Sequence, residues 1–108
     1  MSFKIVPTPP FEKELKNLAK KYPSLKKDVS ALFVSLAKSP QSGTPLGSNC
    51  FKVRLAITSK GKGKSGGARV ITYIQIVDKE IFLIAIYDKS DIESISLDAI
   101  RERLKSLS

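Results

Sequence analysis

The chain has 108 residues, 19 of them Lys or Arg against 10 Asp or Glu, for a formal charge of +9 at pH 7. That length suits one domain with a modest core and excludes a protein kinase or a full dinucleotide dehydrogenase, while the charge implies a polyanionic partner, nucleic acid or ribosome ahead of an anionic membrane surface. One cysteine and no histidine exclude a disulfide framework and the usual zinc ligand sets, and imply a reducing, cytoplasmic setting.

From the amino terminus, Phe3-Lys4-Ile5-Val6 predicts a short strand. Pro7, Pro9 and Pro10, with fixed φ and no N–H, suit its exit and a helix entry. Phe11, Leu15, Leu18 and Tyr22 recur at helical spacing with Lys13, Lys16, Lys20 and Lys21 between them, an amphipathic helix that Pro23 stops. A second helix is expected behind Ser24 as N-cap, burying Leu25, Val29, Leu32, Phe33 and Leu36. The short connection makes the two an antiparallel hairpin.

Residues 39–48 are turn formers and read as a surface loop. Phe51, Val53, Leu55 and Ile57 then alternate with Lys52, Arg54 and Ala56, which predicts a strand with one apolar and one basic face. Arg69–Val77 and Glu80–Tyr87 are β-branched runs joined at Asp78-Lys79 as a two-residue hairpin. Apolar on both faces, they should be central strands covered by helices. Leu97, Ile100, Leu104 and Leu107 form a closing helical stripe behind Ser96 as N-cap, with Asp98 in the first turn. No apolar run approaches the roughly 18 residues of a membrane span, and Met1–Pro10 lacks a signal-peptide core, so a soluble chain starting near Met1 is expected.

The order β-α-α-β-β-β-α predicts an α+β domain: an N-terminal strand and two-helix hairpin on an antiparallel-rich twisted sheet, a short C-terminal helix, and helices mainly on one side. Its positive field centres on the middle of the chain. Residues 51–73 hold Lys52, Arg54, Lys60, Lys62, Lys64 and Arg69 with no acid, whereas residues 74–108 hold five bases and seven acids.

Within that stretch, Gly61, Gly63 and Gly66 have the spacing of a dinucleotide fingerprint, and Gly63-Lys64-Ser65 resembles the end of a P-loop. Both motifs need a following helix to present amides to phosphate, and a strand follows here. A P-loop also needs glycine where Thr58 stands. The kinase glycine loop does lie between strands, but the chain has no room for the rest of that catalytic set. Gly61–Gly67 therefore reads as a hairpin tip whose glycines supply positive φ. Lys52 and Arg54 share one strand face, and Arg69 begins the strand expected to pair with it, so three fixed cations could converge beside the tip.

Lys52-x-Arg54, the Lys-Gly-Lys-x-Gly-Gly-x-Arg run over Lys62–Arg69, the aromatic strand ending at Tyr73 and Ile86-Tyr87-Asp88-Lys89 together resemble the RelE/ParE toxin superfamily, and within it the HigB-type branch. The likeness is specific over about residues 50–92 and elsewhere lies in element order. It implies a single RelE-like toxin domain over 1–108, cytoplasmic, held by a cognate helix-turn-helix antitoxin of HigA type. Such a toxin enters the A site of the 70S ribosome and cleaves translated mRNA, with no metal or other cofactor.

In the implied reaction the 2′-hydroxyl attacks the adjacent phosphate, so the 2′-OH must lose a proton, the transition state must be held, and the leaving oxygen must gain a proton. Without histidine, Lys, Arg, Tyr or the acids must serve. Arg69 is the first candidate, a guanidinium able to hold two phosphate oxygens. Lys52 and Arg54 would orient the phosphate or, for Lys52, act as base; Lys89 would be acid or clamp. Tyr73 or Tyr87 could stack on a base. Lys60, Lys62 and Lys64 are expected to contact rRNA or mRNA backbone. Some family members carry a tyrosine or histidine near the C-terminus beside the phosphate; this chain has Ile92, Ser94 and Ile95 there, and no aromatic beyond Tyr87. The resemblance leaves two alternatives, a ParE-like gyrase poison and a non-enzymatic basic nucleic-acid-binding module.

Overall fold

The computed structural model describes residues 3–61, 63, 66–92 and 94–107. Strand β1 (Lys4–Pro7) runs into helix α1 (Pro9–Lys21), followed by α2 (Leu25–Lys38), β2 (Thr44–Gly47), β3 (Cys50–Leu55), a 3-10 turn (Thr58–Lys60), β4 (Ala68–Gln75), β5 (Glu80–Asp88) and α3 (Leu97–Lys105). The five strands form one sheet in the order β1-β5-β4-β3-β2. Only β1 runs parallel to its neighbour, with Lys4 beside Glu80 and Pro7 beside Leu83; the other pairs are antiparallel. The chain is thus α+β, as its element order predicts.

Side-chain alternation along the strands divides the core into two layers. On one face Phe11 of α1 and Leu25, Val29, Leu32 and Leu36 of α2 pack on Val53, Leu55, Val70, Ile81, Leu83 and Ile86. On the other, Ile100 of α3 packs on Cys50, Ile71, Ile84 and Ala85, with Leu104 and Leu107 alongside. The central strands are covered on both faces as expected. The expectation of helices mainly on one side holds for α1 and α2; α3 takes the opposite face, because β4 and β5 present apolar side chains there too.

Three local expectations need correction. Residues 44–47, read as loop, form strand β2, which pairs with β3 from Thr44 beside Lys52 to Gly47 beside Cys50 despite Pro45. As the outer strand of the sheet, β2 tolerates a residue with no N–H to donate. The β4–β5 connection spans four residues, not two: β4 ends at Gln75, Ile76 and Val77 are exposed, and Lys79 takes a left-handed φ of 52°. Ser24 precedes α2 but makes no side-chain cap; its hydroxyl donates to Asp28 Oδ2 at 2.8 Å and accepts from Ser59 N at 2.8 Å. Ser96, by contrast, caps α3 by accepting from Ala99 N at 3.1 Å.

Because β1 ends at Pro7, the upper half of β5 has no strand partner on that side. Side chains serve it instead. Glu14 of α1 accepts from Ile86 N at 3.3 Å, while Arg103 of α3 donates to Ile84 O at 3.0 Å and to both Glu14 oxygens at 2.8 and 3.0 Å. The clamp satisfies the open edge and ties the two helices across it.

Candidate active site

The strand register dictates which side chains meet. Arg54 of β3 lies opposite Arg69 of β4, Lys52 opposite Ile71, and Tyr87 of β5 opposite Arg69 on its other side. All belong to the α3 face of the sheet. Helix α3 packs on that face around Cys50, Ile71 and Ile84, and the Arg54 end of β3 lies beside a cleft. This open cleft of about 570 Å³ is lined by Thr44, Lys52, Arg54, Arg69, Lys89 and Ser94. All four residues singled out as catalytic candidates line this one cleft, and no acid is among its described lining residues.

The four cations are held differently. Arg69 is 6 % exposed and donates from Nη1 to Ala68 O at 3.1 Å, so its guanidinium is set in the floor. Arg54, exposed, stands across from it. The strand register alone therefore sets two guanidiniums on the same face of neighbouring strands. Lys52 Nζ donates to Ser94 Oγ at 3.3 Å. Lys89 follows β5 directly, and its backbone N–H donates to Gly67 O at 3.2 Å, joining that end of the glycine-rich segment to the cleft wall. Gly67 is required there: a Cβ would overlap Leu55 O and approach Ala56 Cα and Ile57 N to 3.1 Å.

The other end of the segment is fastened to the helical hairpin. Asp28 accepts from Thr58 N at 2.9 Å and from Thr58 Oγ1 at 2.6 Å, and Ser24 and Ser59 are paired as described above. Burial alone would raise the Asp28 carboxyl, but these donors lower it below its ordinary value. Lys60 then turns inward. Its ammonium donates to Asp88 Oδ1 at 2.8 Å and Ser90 Oγ at 2.7 Å, and lies 5.5 Å from the Tyr22 ring centroid. Asp88 Oδ2 accepts from Tyr22 Oη at 2.5 Å, and Oδ1 accepts from Ser90 N at 2.9 Å. Burial pushes the Asp88 carboxyl up, yet Lys60, Tyr22 and Ser90 together outweigh it and hold the group at about 2. The Asp88 hydrogen bond raises Lys60 against its own desolvation.

The remaining sequence candidates are dispersed. Lys60 is committed to Asp88, and Lys62 and Lys64 lie outside the described residues. Gly61 and Gly63 do adopt left-handed φ of 73° and 65°, as a hairpin tip requires. Tyr73 is four residues along β4 from Arg69, roughly 13 Å at strand rise. It packs on Phe82 with ring centroids 6.1 Å apart, in a hollow also lined by Leu104 and Leu107, and is not brought to the cleft. Tyr87 adjoins Arg69 but is 4 % exposed, its hydroxyl buried without a partner among the described residues. Sequence reasoning missed Thr44 and Ser94 as cleft residues and Asp88 as the anchor of the Lys60 ammonium. A carboxylate closing the apolar run of β5 was the available signal for the last.

A sheet packed by helices on both faces, with four cations lining one open cleft, defines a small α+β protein with a cationic cleft. The model of a toxin family, described as the RelE toxin of the RelE/RelB toxin–antitoxin system, matches residues 10–107, and the chain belongs to that family. Solved structures share the fold at low identity. A double mutant of the E. coli toxin RelE in the free state superposes with a TM-score of 0.66 at 16 % identity, covering 100 % of both chains. The toxin–antitoxin complex RelBE2 from Mycobacterium tuberculosis gives 0.62 at 17 % identity, covering 82 % of this chain and 99 % of that one. The intact E. coli RelBE toxin–antitoxin complex gives 0.62 at 16 %, covering 81 % and 96 %. A search of curated protein sequences finds no significant match. Among the described residues no helix is long and apolar enough to cross a membrane.

Proposed function

We propose that this RelE-family toxin is a ribosome-dependent endoribonuclease that cleaves translated mRNA in the A site and is neutralised by a cognate antitoxin of helix-turn-helix, HigA-like type. The observation that carries the reading is the convergence of Lys52, Arg54, Arg69 and Lys89 on one open cleft. Such a cleft suits a phosphodiester, whose transition state gathers charge on its non-bridging oxygens.

In the proposed reaction the 2′-oxygen forms a bond to the adjacent phosphorus as the bond from phosphorus to the 5′-oxygen breaks. The products are a 2′,3′-cyclic phosphate and a 5′-hydroxyl. Arg69, set in the floor, offers a guanidinium fork to the non-bridging oxygens. Arg54, across the strand pair, adds a second cation to the same charge. Lys52, hydrogen-bonded to Ser94, is the candidate to take the 2′-proton, and Lys89, which also lines the cleft, is the candidate to protonate or clamp the leaving oxygen. No cleft aromatic is needed in this scheme; Tyr87 packs behind Arg69.

The test is controlled expression in a bacterial host with primer extension on a translated message. Growth arrest with codon-phased cuts that vanish when the start codon is removed supports the nuclease. An intact message with induced DNA damage points to gyrase poisoning, and an intact message with RNA binding alone points to a non-enzymatic module; either outcome overturns the proposal.

A further inference from the structure

By sequence Lys60 stands with Lys62 and Lys64 as an expected RNA contact, but the fold turns it inward. Its side chain is 11 % exposed, whereas Lys89 is an exposed residue. The Lys60 ammonium donates to Asp88 Oδ1 at 2.8 Å and to Ser90 Oγ at 2.7 Å, the two residues that flank Lys89 in the chain. The far end of the glycine-rich segment meets the same place, since Gly67 O accepts from Lys89 N at 3.2 Å. The segment that starts at Gly61 is therefore closed at its base on Asp88-Lys89-Ser90.

Lys89 lines the cleft but comes one residue after β5 ends, so sheet pairing does not fix it. The chain turns there at once. Asp91 N and Ile92 N donate to Asp88 O at 3.0 and 3.1 Å, and Ser90 N donates to Asp88 Oδ1 at 2.9 Å. A short exposed turn held by so few bonds belongs to the class of segments that open locally at low cost. Lys60 approaches it from a firmer element, because Thr58 and Ser59 pin their 3-10 turn to Asp28 and Ser24 of the helical hairpin.

A buried ion pair needs only Asp88. The second bond, to Ser90 Oγ, reaches past Lys89 and holds the turn at two points, one on each side of the cleft cation. We infer that Lys60 is a positioning residue, which through Asp88 and Ser90 holds Lys89 in place at the cleft. That Lys89 takes part in a reaction rests on the proposed function; the two-point hold on its backbone does not.

The test uses full-length protein in a reconstituted cleavage assay, with 70S ribosomes on a translated message. Wild type is compared with K60M/D88N, K89Q and the combined K60M/D88N/K89Q. The paired substitution strands no buried charge, and asparagine still offers an oxygen to Ser90 N. Circular dichroism sets a temperature at which every variant is folded. Should K60M/D88N not fold, K60Q, which leaves Asp88 its Tyr22 and Ser90 partners, takes its place in the same cycle. K60M/D88N should lower kcat by about 10- to 100-fold, the cost of a small misplacement, with KM for programmed ribosomes unchanged within about threefold. K89Q should lower kcat by at least about 100-fold. The combined variant should be no slower than K89Q within about threefold, because losses that act through one group do not add. Amide exchange at Lys89 should also quicken by at least about tenfold in K60M/D88N relative to Ile74, whose amide donates to Asn49 O at the other end of the sheet.

Losses that multiply in the combined variant mark a merely structural pair and overturn the inference, as does full kcat in K60M/D88N. A raised KM with unchanged kcat also overturns it, since that marks a contact to the RNA backbone. A wild type that cuts no message sinks the nuclease reading alone, and the exchange at Lys89 then decides whether Lys60 holds that turn.

Discussion

Replacing Asp88 by Asn should reveal how much of the fold rests on one carboxylate. The group accepts from Tyr22, Lys60 and Ser90, its side chain is 0 % exposed, and the Lys60 side chain is only 11 % exposed. Removing its charge leaves the Lys60 ammonium uncompensated in a buried site, a loss of about 3–5 kcal/mol for pairs of this kind. With a urea m-value of roughly 1.5 kcal/mol/M for a domain of this size, the midpoint should fall by about 2–3 M at neutral pH.

The pH dependence gives an independent magnitude. Asp88 drops from an ordinary 3.8 to about 2 on folding. A carboxyl depressed in the folded state contributes stability that is complete above its unfolded value and is lost as pH falls through its folded one. At 1.36 kcal/mol per unit this amounts to about 2–3 kcal/mol, lost between about pH 5 and about pH 2. Lys60 acts at the opposite limit: with its folded value raised, its contribution is complete below about 10.5 and is lost as pH climbs through that folded value. Urea denaturation of wild type and Asp88→Asn across acid pH should show the difference between them shrinking by that amount. A midpoint shift under about 0.5 M at pH 7, or a difference that stays constant down to about pH 2, would refute the reasoning. Adding Lys60→Met to Asp88→Asn removes the stranded ammonium and should restore part of the loss.

Other outcomes follow from the same geometry. Arg54→Ala, at an exposed cleft position, should lower the proposed mRNA cleavage by at least about 100-fold while leaving thermal stability within about 0.5 kcal/mol of the wild type, as for other exposed substitutions; full toxicity in Arg54→Ala combined with Lys52→Ala would remove both from the mechanism. Gly67→Ala should cost about 1–3 kcal/mol in equilibrium unfolding, because the added Cβ collides with the Leu55 carbonyl and the β3–β4 connection must shift. Arg103→Ala should cost about 1–2 kcal/mol and accelerate hydrogen exchange at the Ile86 amide, whose acceptor Glu14 it orients; unchanged exchange there would show that Glu14 needs no such orientation.

The cleft was largely legible in the sequence because period-2 alternation needs no tertiary information. Lys52 and Arg54 between Phe51, Val53 and Leu55 fix one basic and one apolar face, and pairing with the next strand brings in Arg69. What failed depended on partners distant in the chain. Strand β2 exists only because β3 offers it an edge, and its Pro and Gly residues speak locally for a turn. Ile76 and Val77 carry strand propensity yet stand 58 % and 91 % exposed in the β4–β5 turn, where left-handed Lys79 closes the chain direction. Lys60 looks like its glycine-flanked neighbours, and only the fold brings it to an aspartate 28 positions later.

The side of the sheet on which α3 packs could not be read from pattern, since β4 and β5 are apolar on both faces, yet that choice creates the site. At 1.5 Å per residue the nine residues of α3 span about 14 Å, whereas the nine of β5 extend about 30 Å at strand rise. A helix of that length on this face covers the positions around Ile84 and Ala85 and is too short to follow β5 along its whole length. The opposite face is closed by the longer α1 and α2. Openness at the cleft is thus a matter of helix length and placement, while the position of each cation is set by strands locked between two apolar layers. Arg54 and Arg69 are held opposite one another by the strand register, Arg69 buried in the floor and Arg54 exposed. In the proposed reaction the strands set both guanidiniums in place before the phosphate arrives, so the developing charge of the transition state would meet cations already positioned, which is the differential stabilisation that catalysis requires.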